Sequence, residues 1–149
     1  MVLLENKKVV FDYEILEKFE AGIQLLGFEV KSLKMKQGSL AGGRVVIRNS
    51  EAFVVGMQIP PYQPKNISAD YDPYRTRKLL LRKSEIDFLE GKASQKGLTT
   101  VPLNVYTKDG FIKISFCLAR GLKKYDKRHI IKQRETKRDI ERKIKGATE

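Results

Sequence analysis

Cysteine occurs once in this sequence, at Cys117, and histidine once, at His129. A single thiol closes no internal disulfide and builds no cysteine-only metal site. Cys117 lies in the apolar run Ile114-Ser115-Phe116-Cys117-Leu118 and reads as a small core residue. A catalytic thiol would need a base, and His129 sits in a different, strongly basic segment. So little cysteine fits a reducing compartment, and a cytoplasmic location is expected. No apolar run approaches the roughly 20 residues that cross a bilayer. The stretch Met1-Val2-Leu3-Leu4-Glu5 is too short for a signal peptide. Catalytic patterns are missing as well. There is no Gly-rich phosphate loop and no metal-ligand spacing, and Asp12, Glu29 and Asp87 are scattered carboxylates. The expectation is a binding protein, not an enzyme, with no metal and no cofactor.

What the sequence has in excess is positive charge. Its 149 residues carry 30 Lys or Arg against 18 Asp or Glu, a net charge of +12. Charge of that size repels itself in a compact chain unless a polyanion balances it. Nucleic acid is the first candidate partner and an anionic membrane surface the second. The charge is unevenly placed. Residues 119–149 hold 12 Lys or Arg and 5 Asp or Glu. Ile130, Ile131, Ile140 and Ile144 are too sparse there to bury much surface, and the tail lacks the broad apolar face that membrane binding requires. The expected organisation is therefore a folded domain over 1–118 and a basic tail over 119–149. The tail should be disordered when free and able to gain helix against a phosphate-lined surface.

The domain pattern is mainly short strands. Val9-Val10-Phe11-Asp12-Tyr13 is rich in β-branched and aromatic residues, and residues 19–26 read as a second strand. Val45-Val46-Ile47-Arg48 and Glu51-Ala52-Phe53-Val54-Val55 flank Asn49-Ser50, a two-residue hairpin turn. Lys78-Leu79-Leu80-Leu81 reads as a short strand, and residues 99–106 and 111–118 as a second hairpin around Lys108-Asp109-Gly110. Helices are expected over 29–36, with Val30 and Leu33 facing inward, and over 84–95, with Ser84 as its cap. Three prolines within residues 60–64 exclude regular structure there. Five or six strands with two small helices fit a closed antiparallel barrel of the OB type; a small α+β sandwich has the same pattern. Basic clusters punctuate it. Arg75-Thr76-Arg77-Lys78 reads either as a phosphate-binding cluster or as a solvated loop, and Lys31, Lys34 and Lys36 as a basic helix or an ordinary exposed face.

Several motifs, taken in order along nearly the whole chain, resemble those of the SsrA-binding proteins, the small protein B family. They are Asn6-Lys7, Phe19-Glu20-Ala21-Gly22, Gly27-Phe28-Glu29-Val30-Lys31-Ser32-Leu33, Glu51-Ala52-Phe53, Asp72-Pro73 with Arg75-Thr76-Arg77-Lys78-Leu79-Leu80-Leu81, Lys96-Gly97-Leu98-Thr99, Leu118-Ala119-Arg120-Gly121 and Lys123-Lys124-Tyr125-Asp126-Lys127-Arg128. Phe28 stands where the family commonly has tryptophan. The resemblance implies an OB-type β-barrel of about six strands with two or three flanking helices and a basic C-terminal tail. It implies binding to the tRNA-like domain of transfer-messenger RNA and its delivery, alanine-charged and with elongation factor Tu, to stalled ribosomes for trans-translation. By the same resemblance Glu20, Leu80 and Lys113 match RNA-contact positions, and Gly121 matches a hinge leaving the barrel. Asn6, Lys7, Lys31, Arg75, Arg77, Lys78 and Gly121 are expected to join that RNA surface. Lys123, Lys124, Tyr125, Asp126, Lys127, Arg128 and His129 are expected to act instead on the ribosome. There the tail would meet small-subunit RNA in the decoding centre and message channel.

Overall fold

The computed structural model of the chain describes residues 1–63 and 70–122. Its elements in chain order are β1 (Val2–Glu5), α1 (Val9–Asp12), β2 (Tyr13–Ile23), α2 (Gly27–Lys34), β3 (Arg44–Arg48), β4 (Glu51–Val55), β5 (Arg77–Leu80), α3 (Lys83–Ala93), β6 (Leu98–Lys108) and β7 (Phe111–Gly121). The strands form one 7-stranded sheet in the order β1-β6-β7-β2-β5-β4-β3, with every pairing antiparallel. Both expected hairpins form, and their turns explain why. Asn49 and Ser50 take φ of 51° and 60°, and Asp109 and Gly110 take 52° and 80°. Two successive left-handed residues match the twist of the flanking strands, and Asn, Asp and Gly tolerate that conformation best.

Three 11-residue strands, β2, β6 and β7, carry the curvature. Register shifts interrupt β2 between Ile15 and Glu17 and β6 between Pro102 and Asn104. Each such irregularity adds bend and twist. The sheet curls until the start of β6 meets β3, where the Thr100 hydroxyl donates to the Val45 carbonyl. The expected closed barrel is thus a curled sheet whose ladder ends at β1 on one side and β3 on the other, bridged by a side-chain hydrogen bond. The mainly-β class with flanking helices holds.

Alternation sends Phe19, Ala21 and Ile23 of β2 and Ile114, Phe116 and Leu118 of β7 into the main core, where Leu33 of α2 and Leu89 of α3 cover them. Phe19 and Phe116 stack at 5.4 Å between centroids. The intervening residues of β7 turn the other way. Cys117 and Ala119 pack with Val9 and Val101 in a small second cluster. Cys117 is a buried free thiol there, pushed up to about 11 by burial.

Several expectations change. Val9 to Asp12 form a helical turn, not a strand. The Val9 side chain is buried against Cys117, and that packing overrides its β propensity. The strand begins at Tyr13. Helix α2 starts at Gly27 and ends before Lys36, whose φ is 59°. Helix α3 starts at Lys83, so Ser84 lies inside its first turn; Glu85 reaches back to the Arg82 N–H instead. The last strand runs to Gly121, past the expected boundary at 118. Ile15 pairs with Ala119, Glu14 with Arg120 and Tyr13 with Gly121, and the Leu122 N–H donates to the Asp12 carbonyl. Gly121 is therefore a ladder residue. A Cβ there would meet nothing within 4 Å, and its φ is not in the left-handed region, so the sheet itself does not require glycine at this position. The expectations for the tail residues 123–149, and for Pro64 in the proline-rich loop, lie outside the described residues.

Candidate nucleic-acid interface

The outer face of the sheet carries one continuous row of motif residues. Gly22 of β2 pairs with Leu80 of β5 on one side and with Lys113 of β7 on the other. Lys113 in turn pairs with Tyr106 of β6. One rung further along, Glu20 pairs with Ser115, and Ser115 with Asn104. Paired residues project on the same face of a sheet. The register therefore brings Leu80, Lys113 and Glu20 together from three strands, with Tyr106 beside them. Leu80 is 53% exposed, although its neighbour Leu79 is core. It lines a groove of about 540 Å³ whose walls include Val30 and Lys34 of α2 and Phe111 and Lys113 of β7. Phe111 is 69% exposed at the hairpin tip. An apolar floor flanked by two lysines suits an unstacked base with its phosphate.

Glu20 is held from β6. The Tyr106 phenol donates to its Oε2, and the Lys108 Nζ lies 3.3 Å from its Oε1. The bond from Tyr106, ahead of Lys108 and the field of Lys113, holds the Glu20 carboxyl below its ordinary value. Burial and the Glu20 charge push the Tyr106 phenol up to about 12. The carboxylate is thus ionised at neutral pH and can only accept. Sequence reasoning missed Tyr106 and Lys108. The signal existed: a two-residue turn at Asp109-Gly110 fixes Lys108 opposite Phe111 and Tyr106 opposite Lys113.

The basic cluster that runs into β5 does something else. Arg77 is fully buried. Its Nε and Nη2 donate to Glu29 Oε2 at 2.8 and 2.6 Å. Its Nη1 donates to the carbonyls of Met57 at 2.7 Å and Arg75 at 3.1 Å, and Nη2 also to that of Pro73 at 3.0 Å. Those bonds use every N–H of the guanidinium. Arg77 has nothing left for a phosphate, and its expected place on the RNA surface is corrected to a place in the interior. Arg75 shares that role in part. Its guanidinium pairs with Glu29 through Nη2, while 30% of its side chain stays exposed. Tyr71 joins them, 2.9 Å from Glu29 and 2.7 Å from the Ile59 carbonyl, with its hydroxyl pushed up to about 12 by burial and by Glu29. Ser32 donates to the Pro60 carbonyl at 2.6 Å. The buried polar residues of the Gly27 to Leu33 motif therefore tie α2 to both ends of the proline-rich segment.

Burial pushes the Glu29 carboxyl up, but hydrogen bonds from Arg75, the Leu26 N–H and Arg77 outweigh it and hold the group below its ordinary 4.5. A depressed folded-state value stabilises the fold above the unfolded value, and that stability is lost as pH falls through the folded value. The urea midpoint should therefore fall on acidification below about pH 4.5. The fall should be shallower in Glu29→Gln, which has no proton to take up. Equal acid slopes in the two proteins would contradict this assignment.

The other expected site residues are dispersed. Lys78 projects on the Leu80 side of β5, 3.7 Å from Glu51 in an exposed pair. Lys31 lies 5.8 Å from the Tyr62 ring centroid, and Lys34 is the α2 lysine that reaches the groove. Asn6 is not on the Glu20 row. Its Nδ2 donates to the Pro102 carbonyl at 3.1 Å and its N–H to that of Leu103 at 2.8 Å, clamping the irregularity in β6. With Lys7 it borders a separate hollow next to Gly38 and Leu40.

The whole-chain comparisons agree with one another. The SmpB protein family profile matches residues 3–146. The SsrA-binding protein of Thermosynechococcus vestitus is 51% identical over 144 residues, covering 97% of this chain and 95% of the relative. That of Persephonella marina is 48% identical over 145 residues, covering 97% and 95%. A solved structure described as "tmRNA-SmpB: a journey to the center of the bacterial ribosome" superposes with a TM-score of 0.69 at 42% identity, covering 88% of this chain and 95% of that one. The chain belongs to the SmpB protein family.

Proposed function

We propose that this protein is an RNA-binding factor that takes transfer-messenger RNA by its tRNA-like domain and brings it to stalled ribosomes for trans-translation. Supporting this are the family, relatives called SsrA-binding proteins, and a structural neighbour whose description names tmRNA-SmpB and the bacterial ribosome. The observation that carries the reading to particular residues is the row Leu80, Lys113 and Glu20, assembled on one exposed face by strand register. Leu80 offers apolar contact to an unstacked base, Lys113 contacts phosphate, and Glu20 accepts from an exocyclic amine. The finer partners follow from the same reading. The RNA arrives alanine-charged with elongation factor Tu, in the cytoplasm. The tail, from Lys123 to His129, addresses the decoding centre and message channel. Gly121 marks where the chain leaves the folded domain, and Lys31, Lys78 and the exposed edge of Arg75 supply peripheral charge. No step is catalysed by the protein itself.

Glu20→Ala tests the residue assignment. Glu20 is exposed, so the variant should melt within a few degrees of the parent. Its affinity for a transcript of the tRNA-like domain should drop by about ten- to a hundredfold at fixed salt, the loss of a hydrogen bond to a charged group. Unchanged affinity would refute the role of Glu20.

A further inference from the structure

We infer that Tyr106 is a positioning residue for RNA recognition: its phenol fixes the Glu20 carboxylate as an acceptor aimed at a base edge that carries an exocyclic amine. This rests on the proposed RNA-binding function and goes beyond it, to a residue that no motif picked out and to the chemistry of the group read.

A carboxylate on an RNA-facing surface poses two problems. It repels phosphates, and as a free side chain it has several rotamers and would lose entropy on binding. The outer face addresses both from one strand. Lys108 sits 3.3 Å from Oε1 and offsets the charge. Tyr106, carried on β6, donates to Oε2 and so restricts the rotamers open to the carboxylate. Two hydrogen bonds use only part of the roughly four acceptor sites of a carboxylate. The rest point outward: the Glu20 side chain is 41% exposed. Tyr106 itself is only half-buried, and its hydroxyl is committed to Glu20. The groups of fixed charge facing Glu20 are Lys108 from β6 and Lys113 from β7, and both favour the ionised form. The carboxylate itself has no donor, so at the lone pairs that Tyr106 and Lys108 leave open it repels a carbonyl edge and accepts from an amino edge.

The test is a double-mutant cycle with Tyr106→Phe and Glu20→Gln in the full chain, read as affinity for a transcript of the tRNA-like domain. Tyr106→Phe alone should weaken binding about five- to tenfold. In the Glu20→Gln background it should cost less than about twofold. The Glu20 carboxyl, followed by NMR titration in the free protein, should rise towards its ordinary value in Tyr106→Phe. Equal losses in both backgrounds would mean that Tyr106 touches RNA or merely supports the fold, and would overturn the inference. So would an unmoved Glu20 titration. Failure of the parent protein to prefer this transcript over an unrelated stem-loop would overturn the proposed function instead.

Discussion

Replacing Arg77 with alanine is expected to destabilise the fold by about 3–5 kcal/mol, the usual cost of removing one partner of a buried ion pair. The reason lies in what remains. Glu29 is fully buried, and without Arg77 it keeps only the partly exposed Arg75, the Leu26 N–H and Tyr71. The carbonyls of Met57 and Pro73 lose their bonds from the guanidinium as well. Against a total stability of about 5–15 kcal/mol, such a loss leaves the domain close to unfolding. Arg77→Lys should recover little. Its ammonium is a compact point charge with three donors and cannot reproduce a planar fork bonded on every side. Urea denaturation gives the measurement, with an unchanged slope expected and a midpoint shifted far down. A loss below about 1 kcal/mol would place Arg77 among exposed charges and reopen its role in phosphate binding.

The second large effect is functional. A chain ending at Leu122 should keep most of its affinity for the tRNA-like domain and lose peptide tagging altogether. The cut position follows from the sheet. Ending the chain at 118 would remove the buried Ala119 and the rungs that pair Ile15, Glu14 and Tyr13 with β7. Ending it at Leu122 leaves those rungs whole. The removed segment carries 11 Lys or Arg and 5 Asp or Glu, half of the net positive charge. Some RNA affinity goes with that charge, and the salt dependence should become shallower by counterion release. The groove and Glu20 remain, so preference for the tRNA-like domain over an unrelated stem-loop should persist. Tagging by a reconstituted translation system stalled on a message without a stop codon reads the other half. Normal tagging by the shortened chain would contradict a separate ribosomal role for the tail.

The two hairpins were legible in the sequence because their turns are local, whereas Glu20, Leu80 and Lys113 were named by resemblance and the long-range pairing of β2 with β5 and β7 that aligns them was not legible. Asn49-Ser50 and Asp109-Gly110 announce their left-handed backbones, and each fixes a register over many residues. The same logic extended by two rungs would have found Tyr106 opposite Lys113. Strand β1 was not legible. Its four residues depend on pairing with β6, about a hundred positions away, and nothing local announces that ladder. Arg77 misled for a related reason. Arg75-Thr76-Arg77-Lys78 has the composition of a solvated loop, and the partner that makes Arg77 internal, Glu29, lies 48 residues earlier. Alternation carried a hint, since Leu79 is core and Arg77 is two positions before it on the same face. Asn6 shows what motif reading leaves out. Its motif position suggested RNA, and the structure adds a second use, one Nδ2 hydrogen bond to the Pro102 carbonyl that no local pattern announces.

One exposed row, Leu80, Lys113 and Glu20, is expected to select one RNA. Crosslinking the protein in living cells, recovering it under denaturing conditions and sequencing the attached RNA tests that most directly. Transfer-messenger RNA should dominate, with crosslinks in its tRNA-like domain that Glu20→Ala depletes while sparing any ribosomal RNA crosslinks from the tail. Recovery of ribosomal RNA alone, unchanged by Glu20→Ala, would contradict selection by this row and make the protein a resident of the ribosome.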